Sequence, residues 1–163
     1  MRLIIKNKLI SLGGDSIVTD ENGKELYIVD GKVFTFSKRK IIKTMDKKVL
    51  FKIKNKVFFN FIHNRTYIYD KDGKRILTIK KNKWTYKNQF IDCQYNIEYN
   101  RKFMKGEAPI YINGEEAALF GTEFFTLKDT YYLDVYKEEF TDLLVAIVIA
   151  YDNIKDKHFD QND

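Results

Sequence analysis

Glu138-Glu139-Phe140-Thr141-Asp142 runs straight into Leu143-Leu144-Val145-Ala146-Ile147-Val148-Ile149-Ala150. The second half of this stretch is apolar at every position. Acidic residues precede it and Lys155 follows it, which suits a helix macrodipole, and Asp134 is the candidate N-cap. A helix that is apolar on every side has to be buried on every side. Val145, Ile147, Val148 and Ile149 are poor helix formers, by about a few tenths of a kcal/mol each. Burial must supply the stability, and it contributes about 1.5–3 kcal/mol for each fully enclosed Leu, Ile or Val. Leu143, Leu144, Ile147 and Val148 are therefore expected at the centre of the core. The apolar run between Asp142 and Asp152 falls well short of the roughly 20 residues a bilayer requires, so no transmembrane segment is expected.

Upstream, the chain reads as strands and turns. A loose unit recurs: a turn, apolar residues at fixed offsets, then an aromatic. Asn22-Gly23 leads to Leu26, Tyr27, Val29 and Phe34. Asp46-Lys47 leads to Leu50, Phe51, Ile53 and Phe58, and Asp72-Gly73 to Ile76, Leu77, Ile79 and Trp84. Asn113-Gly114 leads to Ala117, Ala118, Leu119 and Phe125. Asn-Gly and Asp-Gly tolerate positive φ and suit hairpin turns, so the units predict an antiparallel meander. Further strands are expected over Asp15–Thr19, over Val33–Phe36 after an Asp30-Gly31 turn, and over Tyr95–Tyr99, where aromatic and polar positions alternate. Pro109, the only proline, suits the start of the strand Ile110–Ile112.

A sleeve of strands around the helix satisfies both readings. Side chains alone fill a barrel of about eight strands; a wider one needs a plug, and a helix roughly 10–12 Å across is a suitable plug. Full closure also removes exposed sheet edges. The expected fold is mainly β, an antiparallel barrel closed around a central hydrophobic C-terminal helix. One domain is expected over residues 1–155, with a polar tail over 156–163.

Composition narrows the function classes. The 163 residues carry a formal charge of +6, 15% aromatic residues and a single cysteine, Cys93. One cysteine allows no intrachain disulfide and fits a reducing cytosol. Nothing ties Cys93 to His63 or His158, so an inert thiol is expected. The first residues alternate like a strand and lack the apolar centre of a signal peptide. There is no phosphate-binding glycine loop, no HExxH, no paired cysteines and no nucleophile elbow. No catalytic residue, cofactor or metal site is assigned.

Four basic clusters remain: Lys38, Arg39, Lys40 and Lys43; Lys52, Lys54 and Lys56; Lys80, Lys81, Lys83 and Lys87; and Arg101, Lys102 and Lys105. Lys52, Lys54 and Lys56 alternate with apolar residues, which places them on one outer strand face about 7 Å apart. Taken singly, each cluster reads first as a solvated barrel exterior. If the clusters meet in space, they become candidates for holding lipid-headgroup phosphates. Basic residues near Trp84 and Tyr86 can stack bases, but there is no RNP-type signature and acids are interspersed, so nucleic acid is not an expected partner.

Several segments together resemble the LURP-one-related family, a relative of the Tubby C-terminal domain and the phospholipid scramblases. They are Lys8-Leu9-Ile10-Ser11-Leu12-Gly13, Asp20-Glu21-Asn22-Gly23, Tyr27 through Phe34, Asp129-Thr130-Tyr131-Tyr132-Leu133-Asp134, and Leu143 to Ala150 followed by Asp152. The resemblance covers Met1 to about Ile154 and rests on the order of these segments. It implies a barrel of around twelve strands threaded by the C-terminal helix. Tubby domains bind phosphoinositide headgroups through surface basic residues, and scramblases are linked to calcium-dependent lipid movement. The scramblase calcium segment lies just before the terminal helix; here it holds only Asp129 and Asp134, too few oxygen ligands for calcium. The expected function is non-catalytic binding of anionic phospholipid by surface Lys and Arg, in a cytoplasmic protein that visits membranes peripherally. A protein-interaction scaffold and an enzyme on a small anionic substrate are the alternatives. The oligomeric state is not read from the sequence.

Overall fold

The computed structural model describes residues 1–7, 16–32, 39–55, 65–81, 88–99, 107–122 and 130–159. Twelve strands come first: β1 (Arg2–Asn7), β2 (Ser16–Asp20), β3 (Glu25–Lys32), β4 (Arg39–Thr44), β5 (Val49–Asn55) and β6 (Arg65–Asp70). Then follow β7 (Arg75–Lys81), β8 (Asn88–Ile91), β9 (Ile97–Tyr99), β10 (Glu107–Ile112), β11 (Glu115–Thr122) and β12 (Thr130–Val135). A 3-10 turn over Glu138–Phe140 leads into the helix α1 (Thr141–Phe159).

The sheet order is β8-β7-β6-β5-β4-β3-β2-β1-β12-β11-β10-β9, antiparallel throughout. β1 closes the circuit by pairing with β12, Leu3 opposite Leu133 and Ile5 opposite Tyr131. β8 and β9, the two ends of the order, touch without forming a ladder. The result is a nearly closed twelve-stranded barrel.

Every second side chain points inward and is sealed from water: Leu3, Ile5, Val18, Val29, Ile42, Ile53, Ile68, Leu77, Ile110 and Leu133 are all 0% exposed. Inside this ring runs α1. Leu144 through Ala150 are seven consecutive residues exposed by 1% or less, about two full turns with no solvent side. Leu143 is partly buried and packs against the same core. Tyr151 continues the packing with edge-on contacts to Tyr99 at 5.3 Å and Phe120 at 6.0 Å between ring centroids. No helix among the described residues is long and apolar enough to cross a membrane.

The recurring turns are three copies of one device. The Gly23 and Gly73 amides donate to the Asp20 and Asp70 carbonyls, and the Lys47 amide to that of Thr44. In the outer two copies the Asp side chain also caps the loop. Asp20 Oδ1 accepts from the amides of Asn22 and Lys24, and Asp70 Oδ1 from those of Asp72 and Lys74. The residue closing each loop has positive φ: 82° at Gly23, 85° at Gly73 and 62° at Lys47. A register shift follows in each ladder, the pattern of a type I turn with a bulge. Asn113-Gly114 is the tighter two-residue form, with positive φ at both residues.

Two local expectations are corrected. Asp30-Gly31 is no turn: β3 passes through it, with Asp30 opposite Ile41 and Gly31 opposite Lys40. The ladder, tied by an ion pair between Lys43 Nζ and Asp30, overrides the turn chemistry of the dipeptide. The expected strand Val33–Phe36 lies outside the described residues. Asp134 does not cap α1. It belongs to β12, and its carboxylate accepts from Arg2 Nε at 2.6 Å and Nη2 at 2.7 Å. Glu138 and Glu139 sit in the 3-10 turn, and the Thr141 hydroxyl donates to the Glu138 carbonyl at 2.7 Å.

Candidate functional site

Charge is distributed unevenly around the barrel. β4 to β7 carry Arg39, Lys40, Lys43, Lys52, Lys54, Arg65, Arg75, Lys80 and Lys81, with Asp70 as their sole acid. β9 to β12, roughly opposite in the circuit, carry Glu98, Glu107, Glu115, Glu116 and Asp134 and no Lys or Arg.

Period-two alternation decides which of these cations face out. In β4, Ile42 is buried inward, so Arg39 and Lys43 face outward and Lys40, only 9% exposed, shares the inward parity. Lys40 therefore leaves the outer cluster in which contiguous sequence placed it. In β5, Ile53 and Asn55 face in and Lys52 and Lys54 face out. Arg39 lies directly opposite Lys54, and Ile41 opposite Lys52. On the next strand Lys52 faces Tyr69 and Lys54 faces Tyr67. Beyond them Arg65 faces Lys80, Tyr67 faces Thr78 and Tyr69 faces Arg75. The first three basic clusters thus converge on one outer face through Arg39, Lys52, Lys54 and Lys80. Arg65, Tyr67 and Tyr69 join them. Lys38, Lys56, Lys83, Arg101 and Lys102 lie outside the described residues, and of Lys81 only the backbone is described.

The face has an internal order. Lys54 Nζ sits 4.9 Å from the Tyr69 ring centroid, and the Arg75 guanidinium 5.7 Å from that of Tyr67. The two tyrosines lie 6.5 Å apart. Both rings are covered by cations, which steadies the long side chains. Arg75 and Lys43 are neutralised at the margins. Arg75 Nε lies 3.3 Å from Asp92 Oδ2, which also accepts from the Thr78 hydroxyl at 2.8 Å, and Lys43 pairs with Asp30. Lys52, Lys54, Arg65 and Lys80 form no ion pair among the described residues. The Nε of Arg65 is buried and has no hydrogen-bond partner among the described residues.

The opposite wall is organised differently. Arg2 forks onto Asp134 and lies 4.9 Å over the Tyr132 ring. Tyr132 donates to Glu107, and burial with that bond pushes the phenol up to about 12. Lys137 reaches Glu115 at 2.5 Å, holding that carboxyl below its ordinary range. At the mouth of the helix, Tyr27 donates to Asp142 Oδ1 at 2.6 Å. Burial, then that bond, raises the Tyr27 phenol.

Among the described residues no set of His, Cys, Asp and Glu is placed to hold a metal ion. Cys93 is a partly buried free thiol packed against the core. Among the described residues the exposed large apolar side chains are Met1, Met45, Ile91 and Tyr136, scattered over different strands and turns. The molecule is a strand barrel built around its own C-terminal helix, with a cationic outer wall.

That architecture has a family. The LURP-one-related family model matches residues 1–152, and the chain belongs to this family. No curated protein and no solved structure matches the chain.

Proposed function

We propose that this LURP-one-related barrel is a non-catalytic binding protein that docks on anionic phospholipid surfaces through the outer face of β4–β7. One observation carries the reading: Lys52, Lys54, Arg65 and Lys80, dispersed in sequence, meet on one wall without a carboxylate between them. Like charges directly opposite each other, as Arg65 with Lys80, weaken a sheet. A polyanionic surface reverses that penalty. The acidic wall of β9–β12 supports a one-sided encounter, because it turns away from a negative membrane. The covered faces of Tyr67 and Tyr69 speak against base stacking and for headgroup contact at the membrane interface.

Each Lys or Arg near an anionic bilayer contributes about 1 kcal/mol. Replacing Lys52 and Lys54 by Glu forfeits about 2 kcal/mol, roughly thirty-fold in affinity, before any new repulsion is counted. Sedimentation with vesicles of phosphatidylcholine alone, or mixed with phosphatidylserine, tests this. The wild-type chain is expected to sediment only with the mixed vesicles, and less so as salt rises. K52E/K54E is expected to stay in the supernatant with an unchanged melting temperature. Glu98→Lys with Glu116→Lys on the far wall is expected to bind at least as well as wild type. Equal binding to both vesicle types, or to neither, defeats the proposal.

A further inference from the structure

Arg65, Lys80 and Gln89 lie in direct register across three adjacent strands, Arg65 opposite Lys80 and Lys80 opposite Gln89. At about 4.8 Å per strand the row spans roughly 10 Å. It contains donors and no acid. Gln89 is exposed and Lys80 half-buried. Arg65 is half-buried too, and its Nε has lost water without gaining an acceptor among the described residues. A buried donor left unmet destabilises a fold, and here it belongs to a cation facing a second cation. Partial burial also strips hydration from the guanidinium, so an oxyanion reaching its remaining N–H groups meets a stronger donor than a solvated lysine offers. Lys54 differs: its ammonium group stands over the Tyr69 ring and offers diffuse charge.

We infer that the Arg65–Lys80–Gln89 row is a discrete site for a phosphate monoester, with the Arg65 fork as its recognition group. The site rests on the same wall as the docking surface proposed above but asks for a particular chemistry. A monoester presents three acceptor oxygens and close to two negative charges, enough to engage the arginine fork and the lysine ammonium together. A diester or a carboxylate meets only one of them well. The monoester can arrive on a lipid, as in phosphatidic acid, or as free phosphate in solution.

The two sources are separated by two measurements on the full chain. In the first, vesicles containing phosphatidic acid or phosphatidylserine are matched for surface potential. The wild type is expected to bind the phosphatidic acid vesicles at least fivefold more tightly. Arg65→Lys, which keeps the charge and loses the fork, is expected to bind both equally and to retain its phosphatidylserine affinity. In the second, inorganic phosphate is titrated against the 15N-labelled chain, with shifts expected at the amides of β6 and β7 in the wild type and none in R65K. Sulfate and chloride at equal ionic strength serve as controls for screening. Phosphate-specific shifts without vesicle binding of any kind support the site with free phosphate as its source and overturn the membrane reading. Binding to both vesicles with no preference, and shifts no larger than with chloride, overturn the site and leave the membrane reading standing. Should R65K unfold, Lys80→Gln provides the second variant, and retention of the full preference in it also overturns the site.

Discussion

On the wall made by β1 and β10–β12, Arg2 is held by Asp134, Lys137 by Glu115 and Tyr132 by Glu107. On the wall made by β4–β7, Lys52, Lys54, Arg65 and Lys80 meet no described carboxylate. Both walls are built from the same period-two strands and back onto the same helix. The difference lies in what their outer side chains do. The first wall spends its polar groups on one another and so fastens the first strand to the last ones. The second keeps like charges opposite each other, an arrangement that stability alone does not explain. A satisfied wall reads as structure, and an unsatisfied one as a surface waiting for a partner.

The largest break removes both walls together. Ile147 is 1% exposed within the buried part of α1, the rod against which β5, β6 and β12 lie. Ile147→Asp puts an unpaired charge there, at several kcal/mol or more, against a total stability of about 5–15 kcal/mol. No cooperative thermal transition is expected, and the chain is expected in the insoluble fraction. A soluble variant with the wild-type melting temperature contradicts the enclosed helix.

A smaller break touches the satisfied wall alone. An ideal Cβ built on Gly121 lies 2.2 Å from Cζ of Tyr132, so the phenol end of the ring occupies the space above the glycine. Gly121→Ala forces Tyr132 off its seat, away from Glu107 and from under Arg2. Overpacking of this kind costs about 1–3 kcal/mol. Thermal unfolding is expected at a lower temperature while vesicle binding stays as in wild type, the reverse of the K52E/K54E result. In a Tyr132→Ser background the same Gly121→Ala change is expected to cost much less, because the clash has gone. An undiminished cost there places the damage elsewhere.

How far the sequence anticipates this depends on the range of the interaction. The enclosed helix is legible because eight successive apolar residues leave no face for water. The three repeated hairpins are legible because each turn is set by four or five neighbouring residues. Asp134 is misread as a helix cap because its partner, Arg2, is 132 residues away. Asp30-Gly31 is misread because a ladder to β4 outweighs the dipeptide's own preference. Lys40 is legible by parity: in a strand, neighbours point to opposite faces, so Arg39 and Lys40 cannot both face one partner. Arg65 escapes a search for basic clusters because it stands between Asn64 and Thr66 with no Lys or Arg within five residues. Counting back in twos from Tyr69, the residue before Asp70, through Tyr67 places it outward, opposite Lys80. The convergence of the clusters needs that register, bulge included, and composition does not contain it.

The finest distinction concerns the hairpin between β4 and β5 on the cationic wall. Its two sister loops close on Gly23 and Gly73, and it closes on Lys47 at φ 62°. A side chain in the left-handed region costs about 1 kcal/mol relative to glycine, which adopts it without strain. The gain from Lys47→Gly is trimmed by the greater freedom glycine has in the unfolded chain. Lys47 is exposed at the loop tip, away from the Arg65–Lys80 row, and it makes no ion pair among the described residues. A net stabilisation of about 0.5–1 kcal/mol is expected, a rise of roughly 1–4 °C in melting temperature for a chain of this size. Vesicle binding should be unchanged. A rise in stability with intact binding separates the loop's strain from the wall's charge. A loss of binding would instead extend the docking face to the hairpin tips, where Lys24, Lys48, Lys71 and Lys74 also stand.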